Sequence, residues 1–202
     1  MKKRVSKATL RRYPVYLKAL RTLKSEGKSK VMSQELSEQI NINPTTIRRD
    51  FTFLGNMGKQ GYGYDIDLLI DIFSNQLGVD VDEKIILLGV GNLGKAILNY
   101  NHWDYVAGKI VACYDIFPEN VGKVDIPLYH LDQLKETIPN GCKIAIITGQ
   151  TDIQNTVNKL IDAGITAIVD FTNVHFNVPD HVKIRTIDVV SSIQELVFEI
   201  NQ

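Results

Sequence analysis

Residues Lys84 to Leu98 read KIILLGVGNLGKAIL, and this stretch decides the fold of the larger part of the chain. A short apolar run meets Gly89, Gly91 and Gly94 and then continues into residues that suit a helix. In such a strand, turn and helix, the three glycines permit the tight turn, the approach of a pyrophosphate and close helix packing, in that order. Phosphates would lie at the helix N-terminus. We therefore predict a dinucleotide loop formed by Gly89, Val90, Gly91, Asn92, Leu93 and Gly94.

An acidic residue follows this loop at the spacing that a ribose partner requires. Lys109 to Tyr114 reads as the next strand and ends in Asp115, 21 positions after Gly94. A carboxylate there can accept hydrogen bonds from an adenosine ribose and would repel a 2′-phosphate, which favours NAD(H) over NADP(H). The alternative is a purely structural glycine loop in which Asp115 is a turn residue.

The segments after this unit alternate between apolar strand patterns and helical patterns. This alternation predicts an α/β fold with a parallel, doubly wound sheet of the Rossmann type. Ligands of such sheets bind across the carboxyl ends of the strands, so we expect Thr148 and Phe171 beside the glycine loop and Asp115.

Charge separates the chain into two parts, although the formal net charge of the 202 residues is zero. Residues 1–60 carry 14 Lys and Arg against 4 Asp and Glu, and the remainder carries 9 against 19. A basic N-terminal part on an acidic body predicts contact with a polyanion.

Composition also excludes several classes of protein. No apolar run reaches the roughly 18 residues of a membrane span, and the N-terminus has no signal-peptide pattern, so we expect a soluble cytoplasmic protein without membrane contact. Cys113 and Cys142 fall in apolar runs without metal-ligand spacing, and we predict buried thiols and no metal site.

The basic part has the pattern of a helix-turn-helix. An amphipathic helix over residues 8–26 precedes a short helix that Ser33 is expected to cap, and Asn43 followed by Pro44 is a strong signal for the start of a third helix. Ile47, Phe51 and Leu54 form one apolar face of this third helix. The exposed residue types suit DNA, because Arg reads guanine and Thr meets thymine methyls or phosphates. The predicted contacts from this helix are Thr45, Thr46, Arg48, Arg49 and Thr52.

A glycine-rich segment, GNMGKQGYGY over residues 55–64, follows the third helix. It is too rich in glycine for a helix and fits a hairpin wing, with Lys59 and Tyr62 at its tip able to contact DNA. The alternative is a helical hairpin with a flexible loop that serves as a dimer arm.

The chain ends in an amphipathic helix, for which Ser192 and Glu195 have capping-box spacing. Such a helix packs on its own sheet or on a partner, and helix-turn-helix proteins of this type usually bind DNA as symmetric dimers. We expect three parts: a winged-helix DNA-binding domain (1–78), a dinucleotide-binding domain (79–188) and a terminal dimerisation helix (189–202).

The order of RRDFTFLGNMGKQGYGY, GVGNLG and IDVVSSIQEL resembles the Rex family of bacterial redox-sensing repressors over essentially the whole chain. The resemblance implies a homodimer that exchanges its C-terminal helices, binds operator DNA when NAD⁺ dominates and releases it when NADH binds. It also implies that Arg48, Arg49 and Asp50 belong to the recognition helix. Tyr100 and Asp188 match a polar pair near the domain interface, and we count both among the cofactor-binding candidates.

Several positions depart from that family pattern. Lys18 stands where an Arg is usual, Gly149 and Gln150 replace a Val-Pro pair, Asn173 stands where a Pro is common, and Gln60 replaces a basic wing residue. Most of these changes concern the nicotinamide side of the crevice. A paralogue with altered or lost redox discrimination is therefore one alternative.

Two other classes stay open from the sequence. An NAD-dependent enzyme is disfavoured. The nucleotide-binding fold occupies the chain between the wing and the last helix, so no substrate domain and no residue placed as a general acid or base is left. A CoA-binding module has a similar glycine loop, and Asp115 argues for a ribose partner without excluding it.

Overall fold

The structure is a computed structural model that describes residues 5–55, 58–59, 62–78, 83–100, 108–149 and 151–202. The chain divides into two compact units, Met1–Val81 and Asp82–Gln202. The described elements follow the expected order of a helical, winged N-terminal unit and a sheet-based C-terminal unit.

The N-terminal unit contains four helices around an aromatic core. The helices are α1 (Lys7–Ser25), α2 (Ser33–Ile40), α3 (Pro44–Thr52) and α4 (Ile66–Leu77). Phe51 of α3 meets Tyr16 of α1 edge to face, and Phe73 of α4 lies against both rings. Ile47 and Phe51 are buried and Leu54 is partly buried, so the predicted apolar face of α3 is confirmed.

One predicted helix start is confirmed and one is wrong. The Asn43 side chain accepts a hydrogen bond from the Thr45 N–H at 2.8 Å, with Pro44 in the first turn of α3. The N-cap of α2 is instead Met32, which makes no side-chain cap bond. Ser33 is the first residue of the helix, and its hydroxyl accepts a hydrogen bond from Arg48.

A small antiparallel sheet confirms the wing. It consists of β1 (Lys30–Val31), β2 (Gly58–Lys59) and β3 (Gly63–Asp65) in the order β1-β3-β2. Gly63 has φ of +73°, and an added Cβ would lie 2.9 Å from the Val31 carbonyl oxygen, so this strand needs glycine where it meets β1. Residues 60 and 61, between β2 and β3 in the sequence, lie outside the described ranges.

The C-terminal unit is a parallel sheet with the order β6-β5-β4-β7-β8-β9. Its strands are β4 (Glu83–Leu88), β5 (Gly108–Asp115), β6 (Leu128–His130), β7 (Ile144–Ile147), β8 (Ala167–Asp170) and β9 (Lys183–Thr186). Its helices are α5 (Asn92–Asn99), α6 (Leu134–Thr137), α7 (Ile153–Asp162) and α8 (Val189–Ile200). Strand β4 pairs with β5 on one side and β7 on the other. The strand order reverses at β4, where ligands of doubly wound sheets bind.

Both faces of this sheet are covered by apolar side chains. Ile86, Leu88 and Ile147 point to the layer that contains α7, whereas Leu87 and Cys113 point to the layer that contains Ile97 of α5. A sheet buried on both faces explains why its strands read as continuous apolar runs. Both cysteines are buried and free, as expected.

The last helix, α8, is exposed along its whole length. Asp188 is its N-cap and accepts a hydrogen bond from the Ser191 N–H at 3.0 Å. The expected capping box at Ser192 and Glu195 is therefore wrong, since the helix begins before Ser192.

Candidate nucleotide crevice and DNA-binding surface

The glycine loop has the geometry that its spacing predicts. Gly89 has φ of +86°, and an added Cβ there would lie 2.4 Å from the Gly149 nitrogen. A Cβ on Gly94 would lie 2.2 Å from the Gly89 carbonyl oxygen, so only glycine permits this approach of α5 to the loop. Gly91 faces open space, with no atom within 4 Å of an added Cβ. The loop is thus closed at two glycines and accessible at the one expected to meet a pyrophosphate.

Asp115 lies at the end of β5 and holds this loop in place. Its carboxylate accepts the Val90 N–H at 2.7 Å through Oδ2 and the Phe117 N–H at 2.9 Å through Oδ1. A carboxylate has about four lone-pair positions, so capacity remains for ribose hydroxyls. The residue therefore combines an anchor for the loop with a negative charge at the crevice.

A cavity of about 300 Å³ opens at the carboxyl ends of β4, β5 and β7. Its lining includes four of the predicted site residues, namely Gly89, Gly91, Asp115 and Thr148. The inner wall is formed by Tyr114, Leu131, Ile147 and Thr156, and the sequence did not single out any of these. This volume is at the lower end of small-molecule sites, which begin at about 300 Å³.

Thr148 contributes to this cavity in a different way from the one expected. Its hydroxyl donates to the Gly89 carbonyl oxygen at 2.5 Å or the Leu88 carbonyl oxygen at 3.2 Å. A hydroxyl has one proton, and that proton is engaged by the glycine loop, so Thr148 can offer a ligand only acceptor positions.

The other predicted cofactor residues do not line the cavity. Val90 is buried, while Asn92 and Leu93 are exposed on the first turn of α5. Tyr100 is exposed at the end of α5. Asp188 lines a separate cleft with Asn173 and Thr186.

The predicted DNA-binding face lies on α3. Thr45, Arg48, Arg49 and Thr52 are exposed and Thr46 is half-buried. Arg48 donates to the Ser33 hydroxyl at 2.9 Å and the Thr45 hydroxyl at 3.1 Å. In the described part of the chain, the Arg49 guanidinium has no hydrogen-bond or ion-pair partner. The two arginines therefore differ: one is oriented by its neighbours and the other extends freely.

The two predicted wing contacts lie in β2 and directly before β3. Lys59 lies in β2, and its side chain is outside what the structure describes. Tyr62 is 67% exposed, with the Lys30 ammonium 5.9 Å from the centre of its ring.

A buried ionic cluster behind α3 was missed by the sequence reasoning, which treated Asp50 only as part of the recognition helix. Asp50 is 1% exposed and accepts from the Thr9 hydroxyl at 3.1 Å and the Tyr16 hydroxyl at 2.6 Å. The Arg12 guanidinium donates to both carboxylate oxygens, at 2.6 and 2.8 Å. Burial alone raises the pKa of Asp50, but the hydrogen bonds from Arg12 and Tyr16 outweigh it and lower that pKa. The cluster fixes α3 on α1.

Two negative observations apply to the described residues alone. No three His, Cys, Asp or Glu side chains there are grouped so that they could hold a metal ion. No helix among those residues is long and apolar enough to cross a membrane.

Comparison with known proteins identifies both parts of the chain. Residues 4–52 match the family model described as a putative DNA-binding protein N-terminus, and residues 80–174 match the CoA binding domain. The redox-sensing transcriptional repressor Rex of Listeria welshimeri is 41% identical over 199 residues, covering 96% of this chain and 93% of that protein. The chain belongs to the Rex family. The Rex of Anoxybacillus flavithermus is 40% identical over 198 residues and covers the same shares.

Solved structures agree with this assignment. RSP, a Rex-family repressor, in complex with β-NAD⁺ and operator DNA has a TM-score of 0.88 at 31% identity, covering 99% of this chain and 94% of that chain. RSP in complex with β-NADH has a TM-score of 0.84 at 29% identity, covering 99% and 96%.

The structure describes three of the positions that were predicted to depart from the Rex pattern. Lys18 is exposed on α1. A Cβ on Gly149 would lie 3.3 Å from the Gly89 Cα, so a branched side chain there would require the loop to shift by a few tenths of an ångström. Asn173 has φ of +54°, a conformation closed to proline, which is fixed near −65°. Gln60 and Gln150 lie outside the described residues.

Proposed function

We propose that this chain is a DNA-binding transcriptional repressor that senses the balance of NADH and NAD⁺, binding operator DNA and releasing it when NADH binds. One observation carries this proposal: a single Rex-family chain has an exposed face of Arg and Thr residues on α3 and also a cavity beside a glycine loop. The solved RSP complexes with operator DNA, β-NAD⁺ and β-NADH support both halves.

The DNA contacts are assigned to the face of α3 and the wing. The residues are Thr45, Thr46, Arg48, Arg49, Thr52, Lys59 and Tyr62. Arg48 is oriented by Ser33 and Thr45, so it meets DNA with little loss of side-chain freedom. Arg49 is free to reach a base edge, where a bidentate contact to guanine is the commonest specific contact.

Replacing Arg49 with alanine tests this assignment. We expect Arg49→Ala to weaken operator binding by about 1–3 kcal/mol and to relax specificity at one base pair. Fluorescence anisotropy with the operator and with a scrambled duplex would measure both effects. Arg48→Ala should weaken binding too; if it contacts only phosphate, both duplexes lose affinity alike and the salt slope falls by about 1.

The matched control is Lys143→Ala, which removes one positive charge from an exposed position in the other unit. It should leave operator affinity within experimental error. Unchanged operator affinity in both arginine variants would rule out α3 as the reading helix.

The proposed cofactor is NAD(H), bound through Gly89, Gly91 and Asp115. These residues would contact the pyrophosphate and ribose, which are the same in NADH and NAD⁺. They therefore contribute affinity for both nucleotides and no selectivity between them. Selectivity must come from the nicotinamide end, because a charged NAD⁺ ring costs more than a neutral NADH ring on entry to an apolar site. A ligand shifts DNA binding only by its differential affinity for the two states of the protein.

Operator release by NADH is the direct test of sensing. We expect NADH to weaken operator binding at the lower end of a coupling range of about 5–150-fold, because Gly149 and Asn173 depart from the Rex pattern. Anisotropy would be recorded over a series of NADH to NAD⁺ ratios. NADPH and CoA serve as controls, since the carboxylate of Asp115 repels additional phosphate on the ribose.

The outcomes separate the alternatives. Release by NADH that NAD⁺ reverses supports redox sensing, while equal effects of the two nucleotides would identify a paralogue that has lost discrimination. Release by CoA alone would replace the proposed cofactor. Turnover of NADH with a small-molecule substrate would contradict the assignment as a regulator without enzyme activity.

We also propose that the protein is a cytoplasmic homodimer with the functional parts 1–78, 79–188 and 189–202. The dimer proposal is supported by the apolar side chains of α8, which are 49–79% exposed: Val189, Val190, Ile193, Leu196, Val197, Phe198 and Ile200. A contiguous apolar face of this kind marks an interaction site. A second copy supplies the same face, and a two-fold dimer matches a palindromic operator.

A further inference from the structure

The inner wall of the crevice contains a hydroxyl group that no described residue engages in a hydrogen bond. Thr156 of α7 is 6% exposed and lines the cavity with Leu131 and Ile147. Its N–H donates to the Asp152 carbonyl oxygen at 3.0 Å. The Thr156 hydroxyl, in contrast, has no hydrogen-bond partner in the ranges that the structure describes. Threonine in a helix can satisfy its hydroxyl at the carbonyl four residues earlier, and Thr156 does not do so.

The Thr156 side chain lines the cavity, so its hydroxyl is reached from the space that a ligand would occupy. A hydroxyl that a bound ligand shields from water is costly to leave without a hydrogen bond, so a ligand that supplies one there is favoured. Thr156 opens onto a cavity, so a bound molecule can supply the missing partner. The position therefore favours a ligand with a polar atom at the depth of the inner wall.

The surroundings of Thr156 restrict the shape and chemistry of that ligand group. Tyr114, Leu131 and Ile147 are buried apolar or aromatic neighbours in the same cavity. Asp115 and Gly91 lie on the lining beside the glycine loop, where a ribose and a pyrophosphate are accommodated. A flat, largely apolar group with hydrogen-bonding atoms at its edge would suit a wall of these residues. A purine base has these properties.

We propose that the Thr156 hydroxyl hydrogen-bonds the edge of the adenine base and so contributes to adenine nucleotide affinity. This inference rests on the proposed binding of NAD(H) and adds a residue that reads the base. A hydroxyl can donate to a ring nitrogen or accept from the amino group. The contact is common to NADH, NAD⁺ and ADP, so Thr156 determines affinity for the adenine half and leaves redox selectivity unchanged.

Thr156→Val tests the inference, because valine keeps the shape and removes the hydroxyl. In the full-length protein, isothermal titration should show affinities for ADP, NADH and NAD⁺ that fall by the same factor, about threefold to tenfold. Thr156→Ser should restore most of the affinity. The melting temperature of the ligand-free valine variant should not fall, since valine keeps the shape and no hydrogen bond of the hydroxyl within the described residues is lost.

The matched control is Thr166→Val, the same substitution at an exposed position just before β8, at the opposite ends of the strands. It should leave all three affinities unchanged. Wild-type affinity for ADP in Thr156→Val, or a loss in melting temperature without a loss in affinity, would overturn the role of Thr156. Failure of the wild-type protein to bind ADP or NADH would instead overturn nucleotide binding itself.

Discussion

Asp50→Ala should destabilise the N-terminal unit by about 3–5 kcal/mol, the usual loss when one partner of a buried ion pair is removed. The substitution leaves the Arg12 guanidinium and the Tyr16 hydroxyl without their carboxylate acceptor. It also removes the link that fixes α3 on α1, so operator binding should fall with stability. Thermal unfolding followed by circular dichroism and anisotropy with operator DNA would measure the two effects.

The control for Asp50→Ala is nucleotide affinity, which belongs to the other compact unit and should be unchanged. Asp50→Asn should cost less, because the amide oxygen still accepts one of the hydrogen bonds. An Asp50→Ala variant that melts and binds operator like the wild type would show that the cluster does not position α3.

The same cluster predicts a defined pH dependence. Hydrogen bonds and the charge of Arg12 lower the folded pKa of Asp50 below its ordinary value, which is about 3.9. A depressed carboxylate pKa contributes stability that is fully present above about pH 4 and is lost as pH falls through the folded pKa. The difference in stability between the wild type and Asp50→Asn should therefore shrink below about pH 4.

Deletion of residues 189–202 should raise the dimer dissociation constant by on the order of a thousandfold or more. Fully burying one large apolar side chain contributes about 1.5–3 kcal/mol, and several such side chains of α8 would leave the proposed interface together. Sedimentation velocity over a concentration series would measure the change. Since the proposed dimer presents two reading helices to a palindromic operator, DNA affinity should fall in parallel.

A point substitution avoids removing a chain segment. Leu196→Asp places a charge on the apolar face and should also produce monomers, whereas Glu195→Gln changes a charge on the polar side of α8 and should not. A truncated protein that sediments as a stable dimer would exclude α8 from the interface.

The sequence by itself determined the elements and their order, because the signals for these are local. Asn43 and Pro44 begin α3 through contacts between near neighbours, and the glycine loop specifies its own turn. Continuous apolar runs indicated a sheet covered on both faces, and strands separated by helices pair in parallel. The locations of the candidate dinucleotide crevice and of the proposed DNA-binding face therefore follow from local sequence signals.

Only the tertiary structure decided which side chains are free to act, because their partners lie far along the chain. Asp50 is adjacent to two exposed arginines in sequence, yet its partner Arg12 lies 38 residues away. An acidic residue on the apolar stripe between Ile47 and Leu54 was the signal that could have been noticed. Ser33, which looks like a helix cap, is instead an acceptor for Arg48.

In the crevice, too, partners that are distant in sequence decide which hydroxyl groups are free to bind a ligand. The hydroxyl of Thr148 is engaged by Gly89, a residue 59 positions away, while that of Thr156 is left open to the cavity. Both are ordinary threonines in the sequence, one after a strand and one within a helix. Hydrogen-bond capacity is limited to one proton per hydroxyl, so the folded arrangement of distant carbonyls decides which of them remains available to a ligand.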